Sequence, residues 1–178
     1  MHPLLLVIMI LFLPVTRLHT QQQLIDWSTE RKLTWDDFKA SPDQNSPNAA
    51  LTYAAIKMEY HYGDGVLVYH LRCLFDQKAS WGRVKNDYIL SHEQGHFDIA
   101  EWYTRKLNKS LQEYKPNVSR LAKDVGDIYQ QIMQQFHQEQ QQYDEQTHFS
   151  LDQDKQALWL KKINTALNQL KDYANYRH

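Results

Sequence analysis

The 178-residue chain predicts an α+β fold: a small antiparallel sheet with a hairpin, packed with three α-helices. Three observations carry this. Two β-like runs, Leu51–Tyr62 and Val66–Phe75, flank Gly63-Asp64-Gly65, a tight-turn signal, so residues of about 51–75 read as a β-hairpin. From Asn86 onward the apolar period changes from two to that of a helix. No internal repeat and no second domain boundary interrupts the pattern.

Each element follows from local chemistry. Leu33-Thr34-Trp35-Asp36-Asp37-Phe38 is a short ordered segment, read as a packing and capping element ahead of the sheet, and Ser41–Asn48 is a loop. In the first β run Ala54, Ile56 and Met58 alternate with Ala55, Lys57 and Glu59, which gives the sheet one packed and one wet face. A lone Cys73 in the second run reads as a small buried hydrophobe. Asn86 or Asp87 caps a first helix over about 87–111. Val118, Leu121, Val125, Ile128, Ile132 and Phe136 form the stripe of a second, about 118–142, whose Gln-rich end reads as solvated helix without chemistry. Ser150 and Gln153 form a capping box for a third, about 151–174, with Leu160, Ile163, Leu167 and Leu170 on its seam.

Composition bounds the function. A formal net charge of −1, with no Lys/Arg-dense run, excludes a basic nucleic-acid footprint. One cysteine excludes an intramolecular disulfide and a cysteine-based zinc site. The unbroken apolar run Leu4–Leu13 is half of what a membrane span requires but suits the core of a secretory signal peptide. Residues 1–20 are therefore expected to be a signal peptide that directs export to the periplasm or medium, and 21–178 a single domain with no stable membrane span.

His92-Glu93-Gln94-Gly95-His96 matches the H-E-x-x-H pattern of zinc hydrolases. At 100° per residue the two imidazoles lie about 40° apart on one helix face, one turn from each other, so both can reach one ion. Glu93, about 80° from the middle of the pair, can address a water on that ion as general base without joining its ligands. The same geometry turns Glu101 and Asp98 away. Ile99 and Trp102 stand where a metzincin would need Gly and His, so that class is excluded. A third ligand must come from another element; His148 is the leading choice, with Asp144 and His137 as competitors.

Three stretches carry a family resemblance. Leu33–Phe38, the metal-helix segment Ser91–Ala100, and Tyr143-Asp144, Thr147-His148, Gln156 and Trp159 together resemble a bacterial family of predicted secreted zinc-dependent proteases, catalogued mainly as a domain of unknown function. The resemblance implies an exported metallopeptidase of bacterial origin acting on a peptide or protein substrate, with Zn2+ on His92, His96 and His148 and Glu93 as the catalytic base. A non-peptidase zinc amidase of the cell envelope, and a zinc-containing binding protein without turnover, are the competing readings.

Overall fold

The computed structural model describes residues 23–176, so the expected signal peptide lies outside the described residues. Among the described residues no helix is long and apolar enough to cross a membrane. The architecture is α+β: three strands β1 (Leu24–Asp26), β3 (Ala54–Gly63) and β4 (Val66–Asp76) in the order β1-β4-β3, a two-residue ladder of β2 (Ala50–Leu51) with β5 (Trp81–Gly82), and helices α1 (Asp87–Glu113), α2 (Leu121–Gln146) and α3 (Gln153–Gln169).

The expected hairpin is β3–β4, antiparallel from Ala54↔Phe75 to Gly63↔Val66. Asp64 and Gly65 both have positive φ, 51° and 79°, as a two-residue turn of type I′ requires. Period-two alternation works as anticipated: Ile56 faces Cys73 and Met58 faces Leu71 on the packed side, whereas Lys57 faces Arg72 and Glu59 faces His70 on the other. Cys73 is fully buried. β1, β2 and β5 were not legible in the sequence, because two or three residues cannot display a period.

The Trp35–Asp37 segment is a 3-10 turn. Asp37 accepts hydrogen bonds from the Thr34 backbone N–H at 2.8 Å and from Arg31 at 2.6 Å, so the acidic residue is a cap, and Phe38 packs on Phe75, which leads through Phe97 into α1. Trp35 lies over β5: a Cβ on Gly82 would come within 2.8 Å of its ring, which explains a glycine there.

α1, 27 residues long, is the central element and touches the sheet, both other helices and the C-terminal segment. Asn86 is its cap, its side chain accepting from the Ile89 N–H at 2.9 Å. The other boundaries shift from expectation. α2 starts at Leu121 rather than 118, because Asn117 Oδ1 accepts from both the N–H and the hydroxyl of Ser119 and holds a turn instead. It continues to Gln146, one turn beyond the expected end. The cap of α3 is Asp152, accepting from Lys155 N–H, and not the Ser150–Gln153 box. α3 stops at Gln169 rather than 174, followed by a 3-10 turn, Lys171–Tyr173, whose Tyr173 carbonyl accepts from Asn108 of α1. Tyr176, 1 % exposed, then donates to buried Glu101, which is paired with Arg105 at 2.9 Å.

Candidate metal centre

The site sits where α1 crosses the end of α2. His92 and His96 project from one face of α1 as their spacing demands, their rings 4.8 Å apart and nearly perpendicular. The longer reach of α2 brings Asp144 against them. Its Oδ1 lies 3.2 Å from His92 Nε2 and 3.0 Å from His96 Nε2, and the two ring nitrogens are 3.2 Å apart. Three donor atoms thus form a nearly equilateral triangle. A tetrahedral site with bonds of about 2.0–2.1 Å has donor–donor edges of about 3.3–3.4 Å, so the triangle is close to the size a zinc-like ion needs. Two imidazoles and a carboxylate are also the donor types such an ion takes. His92, His96 and Asp144 could therefore hold a metal ion.

The structure brings Asp144, one of the two competitors, to the helix histidines in place of His148. His148 is exposed and lies past the end of α2, the first of three consecutive residues with positive φ: His148 (48°), Phe149 (53°) and Ser150 (68°). The extra helical turn leaves Asp144 on the inner face of α2 and places residue 148 in the turn beyond it. His137, two turns earlier on α2, is exposed at the rim of the cleft and is not in the cluster. Replacing His148 with Gly is expected to leave metal affinity within a factor of about 2 and, by relieving left-handed strain of about 1 kcal/mol, to raise stability slightly. Metal titration and thermal denaturation of the one variant check both; a large loss of affinity would return His148 to the ligand set.

The surroundings are built to hold this geometry. Tyr143, fully buried, stacks on the His92 ring at 4.5 Å and meets His96 edge-on, while its hydroxyl donates to the His92 carbonyl at 3.3 Å. Gly95 permits the approach: a Cβ there would lie 2.8 and 3.0 Å from carbons of the Tyr143 ring and closer still to its hydroxyl. Burial also raises the Tyr143 phenol far above its ordinary range, so it stays a neutral donor. Gln140 of α2 grips His96 twice, Oε1 at 2.6 Å from Nδ1 and Nε2 donating to the backbone carbonyl at 2.9 Å. In sequence the Gln-rich stretch reads as chemically silent, and in a run of glutamines nothing marks Gln140; its place four residues before Asp144, on the same helix face, is the signal that finds it.

Electrostatics follow from burial and the carboxylate. Burial lowers His92, only partly offset by Asp144. For His96 burial acts the same way, but the hydrogen bond and charge of Asp144 outweigh it and push the ring up to about 9. Burial would raise Asp144; the two histidines overcome it and hold the carboxyl far below the usual carboxylate range. Glu93, 4 % exposed, is raised by burial against the pull of His96 and of Thr52, and its Oε2 has no partner. Thr52 itself is tied to α1, its hydroxyl donating to the Glu93 carbonyl at 3.2 Å. A cleft of about 280 Å³ opens onto His92, Glu93, His96 and Asp144, walled by the Asn48–Ala54 run on one side and by Phe136, His137 and Phe149 on the other. The two acids excluded on angle are indeed elsewhere: Asp98 accepts from Trp27 at 2.6 Å, and Glu101 serves the C-terminal tail. Tyr103 is core, its hydroxyl on Glu139.

Fold and site together define an α+β domain with a two-histidine, one-carboxylate cluster on the floor of an open cleft, beside a buried glutamate whose Oε2 has no hydrogen-bond partner. The chain belongs to DUF922, a bacterial protein family of unknown function, whose model matches residues 19–150 of the 178. No curated protein and no solved structure gives a significant match. The matched region contains all three members of the cluster and ends just before α3.

Proposed function

We propose that this chain is an exported zinc-dependent metallopeptidase, with His92, His96 and Asp144 as the metal ligands and Glu93 as general base. The observation that carries the reading is the convergence of three donors on one point with the Glu93 carboxylate beside it, at the floor of a cleft. Three protein ligands leave a coordination position for water or substrate, which a purely structural site would close with protein. An ion bound there supplies Lewis acidity, which brings the ionisation of water toward neutral pH and polarises a carbonyl. The chain's own residues do the remainder. Glu93 Oε2, buried and with no internal hydrogen bond to compete, takes the proton from the attacking water and can return it to the leaving amine. Burial, by raising the Glu93 carboxyl, makes it a stronger base than an exposed glutamate. The two histidines keep their orientation through Tyr143 and Gln140, and the Asn48–Ala54 wall positions the substrate chain. Export through residues 1–20 belongs to the same proposal.

Glu93→Gln tests it. The variant should bind zinc as the wild type does and lose at least about 100-fold in peptide hydrolysis, the scale of a removed general base. Zinc content and turnover of a quenched peptide library, measured side by side, give the answer; hydrolysis unchanged by the substitution overturns the mechanism.

A further inference from the structure

We propose that Gln156 and Gln140 are a matched pair of positioning residues, each accepting the Nδ1–H of one cluster histidine, so that both rings turn an unprotonated Nε2 toward Asp144. The proposal rests on the metal reading above and adds what holds its two imidazoles in one tautomer. For Gln140 the amide's orientation is fixed by its backbone bond: Nε2 donates to the His96 carbonyl, so Oε1 is the atom 2.6 Å from His96 Nδ1. An oxygen acceptor there requires the proton on Nδ1. Gln156, 1 % exposed on α3, reaches the same end by a different route. Its Nε2 donates to the Tyr88 carbonyl at 3.2 Å and to Ser91 Oγ at 2.9 Å, which spends both amide protons on the turn of α1 just before His92. Its Oε1 is left as a buried acceptor without a donor, while His92 Nδ1 is a buried ring nitrogen without an acceptor. The two unmatched groups complement each other, and the Gln156 amide is docked on the turn that leads into His92. With both protons on Nδ1 and the second proton of His96 displaced by an ion, both Nε2 atoms and Asp144 Oδ1, 3.0–3.2 Å apart, would share that cation.

Metal-bound histidines usually give their outer N–H to a carboxylate, a backbone carbonyl or water. Here both acceptors are neutral amides, which set the tautomer without adding charge. The pair also comes from two helices: Gln140 lies inside the family match, and Gln156 beyond it.

The test is zinc affinity of the full chain by competition with a chromophoric chelator, for wild type, Gln156→Met, Gln156→Glu and Gln140→Met. Met keeps the volume and removes the acceptor; it should weaken zinc by about 10–100-fold at either position, the usual cost of losing an outer partner. Glu keeps the acceptor and discards the donor, so Gln156→Glu should bind within about 10-fold of wild type or more tightly. Equal losses for Met and Glu at 156 would overturn the proposal, since they would make the grip on Tyr88 and Ser91 the whole role, and so would wild-type affinity in Gln156→Met. Long-range 15N–1H spectra of the wild type read the tautomer without any variant. Nδ1 of His92 should carry the proton with or without zinc, and His96 should do the same when loaded; a proton on His92 Nε2 overturns the proposal even if no zinc binds. Absence of zinc binding by the wild type overturns the metal site itself, a separate result.

Discussion

Gly95→Ala is expected to destabilise the domain by about 2–3 kcal/mol, the cost of forcing atoms into a filled core, and to lower its melting temperature by about 5–10 °C. The sign is the informative part. Within an ordinary helix the same change adds about 1 kcal/mol of stability, because alanine is the better helix former. At position 95 the new methyl would enter the van der Waals space of Tyr143, and that ring has nowhere to go: His92 stacks on one side, His96 meets it edge-on and Trp159 closes from α3 at 5.4 Å. Displacing Tyr143 also moves its neighbour Asp144, so zinc affinity should fall along with stability. Thermal denaturation with and without zinc measures both. A raised melting temperature would mean that α2 can slide away from α1, and the site would then be far less rigid than described.

Asp144→Ala should abolish stable zinc binding outright, leaving only the two histidines and a loss beyond the roughly 100-fold of an outer partner. The carboxylate is the sole member of the cluster contributed by α2, so its removal uncouples the ion from the helix pair. It also leaves His96 buried without the charge that supports its protonated form, and the metal-free variant should melt lower than metal-free wild type. Metal analysis after dialysis, together with melting curves, checks this. Zinc retained at wild-type affinity by Asp144→Ala would refute the ligand assignment, and its loss in His148→Gly would identify the replacement.

How much of this was readable beforehand depends on range. His92, Glu93 and His96 share one helix turn, so spacing alone placed them on one face, and the structure keeps them there. The hairpin was equally local, with its turn spelled by Asp64 and Gly65. The third donor was not, because its identity hinged on where α2 ends. A helix that ends near residue 142 puts both 144 and 148 in a turn, where spacing leaves the two residues open and only the family resemblance favours the histidine. The chain carries the helix on to Gln146 with no glycine or proline to stop it, and reversal is left to three non-glycine residues in left-handed conformation, a pattern that sequence rules disfavour. Gln140 and Gln156 escaped for a different reason. Their work depends on which atoms they face across helices, and an amide in a polar run looks like solvent-facing surface until those helices are assembled.

The last 28 residues of the chain fall outside the family match, yet they are no appendage. Trp159 and Ile163 complete the core, Gln156 reaches the first turn of α1, and Tyr176 seals the Glu101–Arg105 pair. The segment by which the family is recognised is therefore smaller than the autonomous folding unit: a chain ending at residue 150 would expose an apolar flank of α1 and leave a buried ion pair open to water.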